Sequence, residues 1–478
     1  MWQASPSQVV LESTGRSVNV ADGAFSVDSY LSCITTGWTG YAKPNGDIHG
    51  GVLRKEETLE ICDHMIKRWK DYRVKMESYV PPPPPVYESD SSGVTRAREE
   101  QKSSAARSQV GVLKPPHLNS VSTAASPGPV TRRKVVNMIK HLNDLLIALA
   151  AGDALGSTSE FLTQSQIPAL CAKLKATGWP LAQAGGGAFN WPKGGHTDDG
   201  SMALCIVESF KAKKKFDPAD VAARFVGWLH SHPPDIGGTT RRVLASIGSG
   251  TAWNDAGWRD YQASPGNAAN GSLMRNGVIS GTAKTLAAAL THTVQQSIIT
   301  HASPLCVACC VAQTWMIWEL LHDRWPFKRD DWLAHLFKAW NQFRDSTDDA
   351  YVKQWVERVG EKAINSAWET LAKTPFAPGD FDPFKIDYGG RAGYCVLTLQ
   401  VAVWALCWSV IDDTYPVPKG FPEELFKLRG ANTLAWVALV GNDSDSYAAT
   451  AGPLLWAAHG KLPESMTAGL EVLATVSL

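Results

Sequence analysis

The chain has 478 residues, enough for one large domain with extensions or for two to three domains. It is 44% hydrophobic and 19% charged, the composition of a soluble globular fold. Its 46 Lys and Arg balance 46 Asp and Glu, which argues against nucleic acid or an anionic membrane as a partner held by bulk charge. Nine cysteines, an odd number scattered through apolar runs, read as free thiols rather than a disulfide framework. The expected location is therefore the cytoplasm or another reducing intracellular compartment. Met1 to Pro6 begins no basic-then-apolar leader, and no uninterrupted apolar run reaches the roughly 18 residues of a membrane span.

Residues 1–80 form an extension with one expected amphipathic helix, Glu56 to Lys75, spaced by Leu59, Cys62, Ile66, Trp69 and Tyr72. Residues 81–132 read as a disordered linker rich in Pro, Ser and Arg. It opens on Pro81 to Pro85, a run that an SH3- or WW-type groove could take, although a stiff spacer is the simpler reading. The character changes at residue 133. Val135, Met138, Ile139, Leu142, Leu145, Leu146 and Leu149 trace one helix face, expected to end near Gly152. Helical patterns recur at 201–212, 218–230, 284–296, 303–322, 329–342, 350–371, 392–410, 431–439 and 446–459. Strict alternation is scarce. The expected fold is all-α: one multi-helix domain over 133–478, with functional residues on the loops between helices. A monomer is the simplest expectation.

Two acidic motifs stand far apart. His196-Thr197-Asp198-Asp199-Gly200 precedes a helix, and so does Asn442-Asp443-Ser444-Asp445-Ser446. Carboxylates at a helix start have an ordinary use, since they cap free N–H groups. Thr347-Asp348-Asp349 repeats the tripeptide before another helix and is read as such a cap. The 197–199 copy differs because Gly185-Gly186-Gly187 and Gly194-Gly195 lead into it, a loop able to bring backbone close to a ligand. Oxygen-rich clusters of this type suit hard cations such as Mg²⁺. Spacing alone cannot show that the two motifs meet.

The other polar signals are weaker one by one. Asp235-Ile236-Gly237-Gly238-Thr239-Thr240-Arg241 suits a phosphate or an ordinary capped turn. Asn270-Gly271-Ser272-Leu273-Met274-Arg275 is a tight turn or a binding loop. His301 is a lone histidine, more often structural than functional. Cys306-x-x-Cys309-Cys310 lies in an apolar helix without a matching second pair, so it reads as core rather than zinc site. No GxGxxG or P-loop lysine motif occurs.

In this order the motifs closely resemble the ADP-ribosylglycohydrolase family, which includes dinitrogenase-reductase-activating glycohydrolases and ADP-ribosyl-acceptor hydrolases. The resemblance runs from Gly152-Asp153-Ala154-Leu155-Gly156-x-x-x-Glu160, through Gly393-Tyr394-Cys395-Val396, to Asp443-Ser444-Asp445-Ser446 and Ala451-Gly452. It implies two Mg²⁺ ions, or Mn²⁺, in a central cleft of an all-α fold. Thr197, Asp198, Asp199, Asp443, Asp445 and Ser446 would be the metal ligands. Glu160, Asp198 and Asp199 would be catalytic. Gly237, Gly238, Thr239 and Thr240 would line the diphosphate. Asn267, Asn270, Gly271 and Ser272 would sit by the ribose, His301 near the ADP-ribose, and Tyr394 near the adenine end. Ser446 stands where the family has threonine, which keeps the hydroxyl. Asn267 stands where relatives carry aspartate or serine, and it cannot titrate. The function so implied is hydrolytic removal of ADP-ribose from a modified protein, with arginine the favoured acceptor. The alternatives are a non-catalytic module that binds ADP-ribose or a modified protein, and action on another nucleotide adduct.

Overall fold

The computed structural model describes residues 7–10, 17–20 and 138–473, apart from 325–331, 378 and 412. The chain divides into two compact units, Met1–Ala125 and Ser126–Leu478. In the first, Ser7–Val10 pairs antiparallel with Ser17–Val20 in the register Ser7 to Val20 and Val10 to Ser17. The valines of these two strands suit a pleated ladder, and the sequence reading did not find it. The helix expected at 56–75, the Pro81–Pro85 run and the linker lie outside the described residues.

Among its described residues, the regular secondary structure of the second unit is all helical, with two isolated β-bridges. Seven helices position the site: α1 (Met138–Gly156), α2 (Asp198–Lys213), α3 (Gly238–Gly248), α4 (Leu286–Thr300), α5 (Pro304–Leu321), α6 (Cys395–Val410) and α7 (Ser444–His459). The core is their shared apolar interior, in which Leu142, Leu145, Leu146 and Leu149 of α1 are fully buried. Trp404 and Trp436 anchor its far end against Tyr415 and Phe426, their rings 5.2–5.9 Å apart in edge-on and tilted pairs.

Among the described residues one helix, Pro304–Leu321, is long and apolar enough to cross a membrane, and 89% of it is buried inside the fold. It carries Cys306, Cys309 and Cys310, all fully buried as reduced thiols. The core reading of that cysteine motif agrees with this placement.

The crossing of α1 and α7 sets the centre of the domain. A Cβ on Gly152 would lie 2.0 Å from the Ala448 carbonyl oxygen, and one on Gly452 would lie 2.1 Å from the Ala148 oxygen. Backbone meets backbone there, so only glycine fits. This also explains why α1 does not stop at Gly152, as the sequence reading expects. The glycines of 152 and 156 are contact points, not a terminator, and the helix runs on to Gly156. Gly152→Ala should therefore cost about 1–3 kcal/mol by forcing the two helices apart, read from urea unfolding. An unchanged midpoint would show that the crossing tolerates a methyl.

Two other boundaries differ for similar reasons. The pattern read as one helix over 350–371 is two, Ala350–Val359 and Glu361–Lys373, because Gly360 takes φ +80°. The helix Trp253–Ala263 was missed because its pattern is broken by Gly257. That glycine is a packing device: a Cβ there would stand 2.3 Å from the Ile298 oxygen on α4.

Candidate active site

The two acidic motifs meet. Ser446 Oγ donates to Asp199 Oδ2 at 3.4 Å across 247 residues of sequence. Two triads of carboxylates result, Glu160 with Asp443 and Asp445, and Asp198 with Asp199 and Asp445. Within each triad one oxygen per residue lies within 4.8 Å of the others. Asp445 belongs to both.

Helix α1 holds both halves. Its glycine at 156 lies against the first turn of α7, where a Cβ would come 2.2 Å from the Ser444 oxygen. Its Asp153 faces the other way and accepts the N–H groups of Thr197 (3.0 and 3.1 Å) and Gly200 (2.8 Å) at the start of α2. A buried carboxylate on one helix thus fixes the N-terminal turn of another and, with it, Asp198 and Asp199. The sequence reading gave Asp153 no role, although it lies in the Gly152-Asp153 pair that opens the resemblance. Thr197 completes that turn, accepting from the Asp199 N–H at 3.3 Å and donating to Asp199 Oδ2 at 3.2 Å.

The electrostatics are those of a site built for added positive charge. Burial first, then the neighbouring carboxylates, raises Asp198, Asp199 and Asp445 well above the usual aspartate range. The same causes push Glu160 up to about 10. Burial pushes Asp153 to about 7 against the opposing Thr197 and Gly200 donors, and Asp443 to about 6 against the Asn270 hydrogen bond. Asp235, which the sequence reading placed only in a possible phosphate turn, is another carboxyl of this neighbourhood and is raised by burial. Glu160 Oε2, Asp199 Oδ1 and Asp445 Oδ1 are buried with no hydrogen-bond partner. Unpartnered buried carboxylate oxygens are costly, and an all-oxygen set is what hard divalent cations take. The residues present fit such an ion.

The loops expected around the substrate gather on this cluster. The Gly237 N–H donates to Asp198 Oδ2 at 3.4 Å, and α3 begins directly after it. Gly237 and Gly238 are exposed there, leaving the first N–H groups of α3 open to an anion. Asn267 Nδ2 donates to Thr239 Oγ1 at 2.7 Å, which ties the 267–272 loop to that helix start. Asn270 reaches the acidic cluster itself, donating to Asp443 Oδ2 at 2.6 Å and to Thr398 Oγ1 at 2.9 Å. Gly271 packs on His301 and Thr240, where a Cβ would lie 2.7 Å from His301 Cε1. The Ser272 hydroxyl instead turns into the core, to Ser297 and Cys310. Tyr394 is half-buried beside the loop. Its segment pairs with 268–270 through Asn270 N–H to the Gly393 oxygen (2.9 Å) and Cys395 N–H to the Ala268 oxygen (3.0 Å). It also lines a cavity of about 470 Å³ with Arg391, Lys385, Phe381 and Leu397.

Residues 138–477 match the family model described as ADP-ribosylglycohydrolase. The chain belongs to the ADP-ribosylglycohydrolase family. Among similar curated proteins, an ADP-ribosylarginine hydrolase Tri1 of Pseudomonas putida (strain GB-1) is 29% identical over 329 residues, 66% of this chain and 69% of the relative. An ADP-ribosyl-[dinitrogen reductase] glycohydrolase of Rhodospirillum rubrum is 33% identical over 185 residues, 37% of this chain and 57% of the relative. A solved structure titled "ADP-ribosylglycohydrolase-related protein complex" aligns with a TM-score of 0.46 at 22% identity, over 71% of this chain and 95% of its own. Family and relatives together place the chain among ADP-ribosyl hydrolases.

Two comparisons within the glycohydrolase domain show what is special about its acidic motifs. Asp349, in the second Thr-Asp-Asp copy, caps its helix by accepting from the Tyr351 and Val352 N–H groups at 3.1 and 2.9 Å. Asp443 sits at the same position on α7 with no side-chain cap bond, which leaves its oxygens to the cluster. Two glycines in the runs before Thr197 serve packing within the fold. They approach the protein's own backbone: a Cβ on Gly187 would lie 2.0 Å from the Ser157 oxygen, and one on Gly194 would lie 2.1 Å from the Gly469 oxygen.

His301 is buried, shares a 2.8 Å hydrogen bond with Thr300 Oγ1, and is pushed down to about 3 by burial, with Arg275 and Arg242 adding to the effect. The folded state therefore binds fewer protons than the unfolded chain between about pH 3 and 6.5. Stability from this group is present above 6.5 and is lost as pH falls. Wild type should lose stability relative to His301→Asn by up to about 1.4 kcal/mol per pH unit below roughly 6.5. Parallel stability curves for the two proteins between pH 4 and 7 would contradict a buried neutral imidazole.

Proposed function

We propose that the domain is a divalent-cation-dependent hydrolase that removes ADP-ribose from modified arginine side chains of proteins. The observation that carries the reading is the pair of carboxylate triads sharing Asp445. Two triads support two cations, with Mg²⁺ or Mn²⁺ matching the all-oxygen donors. Asp198, Asp199, Asp443, Asp445 and Glu160 would hold them, with the Thr197 and Ser446 hydroxyls alongside. Such ions polarise oxygens and make water more acidic. The arginine preference rests on the named activity of the Tri1 relatives.

The remaining residues do the binding and the proton handling. Departure of the acceptor from the ribose C1″ atom leaves positive charge on the ring, and a field of buried carboxylates stabilises it. Glu160, at the edge of the cluster with Oε2 free, is placed to move a proton between water and the leaving atom. The open start of α3 at Gly237 and Gly238 suits the diphosphate. Asn267 and Asn270 hold the ribose loop between that helix and Asp443. Asn267 offers an amide, so any route that needs an ionisable group there is closed.

The test is Mg²⁺-dependent release of ADP-ribose from an arginine-ADP-ribosylated protein, with Asp198→Ala and Asp443→Ala alongside. Release by wild type and loss in both variants is the expected result. Binding of ADP-ribose without release by wild type would instead support a binding module or a different acceptor.

A further inference from the structure

Large hydrophobic side chains are exposed at five places among the described residues, and two of these, Phe161 and Phe189, touch each other. Phe161 directly follows Glu160 and is 61% exposed. Its ring meets that of Phe189 edge-on at 6.0 Å, and Phe189 meets Trp191 at the same distance. The three form a continuous aromatic rim beside the carboxylates.

The rim is held there by backbone, not by burial. Phe161 takes φ +61°, a left-handed conformation that a bulky side chain rarely adopts. It is locked by a two-way clamp, Phe161 N–H to the Asn442 oxygen (2.6 Å) and Asn442 N–H to the Leu162 oxygen (2.8 Å). Asn442 immediately precedes Asp443, so the clamp joins the rim to both sides of one carboxylate triad. Phe189 rides on the tip of a tight hairpin closed by Gly186 and Trp191, whose N–H groups and carbonyls pair at 2.7 and 2.8 Å. Gly187 seats that hairpin on Ser157, three residues before Glu160. An exposed aromatic in a strained backbone gains nothing for the fold. Strain that the surroundings enforce concentrates where a ligand is handled.

The chemistry of the rings selects the occupant. Phe161 directly follows Glu160, and exposed aromatic faces favour a planar guanidinium over an anionic group. Resting on the arginine reading above, we propose that Phe161, Phe189 and Trp191 form the acceptor subsite, which receives the guanidinium and flanking polypeptide of the modified arginine. The ADP-ribose portion lies against Gly237 to Thr240 and Asn270. The rim thus separates recognition of the acceptor from recognition of the nucleotide.

The test compares two ligands, an arginine-ADP-ribosylated peptide and free ADP-ribose, by calorimetry on an Asp198→Asn background with and without Phe161→Ala/Phe189→Ala. The peptide should bind at least about tenfold tighter than ADP-ribose when the rim is intact. That ratio should collapse toward one in the rim variant, with ADP-ribose affinity within about twofold. A peptide that binds no tighter than ADP-ribose, a ratio the phenylalanines do not change, or an equal loss for both ligands would overturn the subsite. Failure of the protein without substitutions to release ADP-ribose from the same peptide would instead reject the arginine hydrolase reading, and the binding ratio would still report on the rim.

Discussion

Asp445→Asn is expected to abolish ADP-ribose release, by at least about a thousandfold in kcat/KM, and at the same time to stabilise the cation-free protein. Both effects come from one geometric fact. Asp445 is the carboxylate shared by the two triads, so its loss removes a ligand from each proposed cation position. It is also buried, with Oδ1 unpartnered, and pressed by Glu160, Asp199 and Asp443. Removing a carboxyl group from such a crowd relieves repulsion and desolvation, a gain of about 1–2 kcal/mol or roughly 2–4 °C in Tm. The increase in Tm that Mg²⁺ gives wild type should vanish in the variant. Thermal unfolding with chelator and with Mg²⁺, beside the release assay, reads all three quantities. An active variant, or one destabilised without metal, would mean that Asp445 is a structural acid and the triads are not ion sites.

The largest stability loss is expected at Arg275, outside the acidic cluster. Its guanidinium is fully buried and donates to Gly271 O (2.7 Å), Gln296 Oε1 (3.0 Å), Gln296 O (3.1 Å) and Thr300 Oγ1 (2.8 Å), with Phe225 under its face at 4.7 Å. Burial lowers it to about 10, so it remains charged at neutral pH. A fork of fixed donors ties the 270–272 loop to α4. Arg275→Met keeps the volume but takes the donor from two carbonyls and two side-chain oxygens, at a cost of about 3–5 kcal/mol. Lysine should rescue little, because a single ammonium cannot span Gly271 and Gln296 together. Urea unfolding measures this, and a loss under about 1 kcal/mol for Met would show that water replaces the fork.

The all-α architecture was legible because apolar positions recur at helical spacing over long stretches, and helix periodicity is local. The paired identity of the acidic motifs was legible through their order along the chain. The Thr347-Asp348-Asp349 control was also read correctly, because a cap involves only its own next turn. What failed locally failed through distant contacts. Gly257 looked like a break, yet it is where a helix meets the Ile298 backbone. Gly187 looked ligand-facing, yet it seats a hairpin on Ser157.

Sequence alone therefore determined the helical character of the second unit, the family resemblance and the residue chemistry available for a site, since these depend on neighbours in the chain and on motif order. Only the tertiary structure decided that Asp199 and Ser446 touch, that Asp445 serves both triads, and that Asp153 steadies α2. The hydrogen bonds among them bridge 44 to 247 residues of sequence. No local pattern encodes them, because they are set by how closely glycine-lined helices can cross.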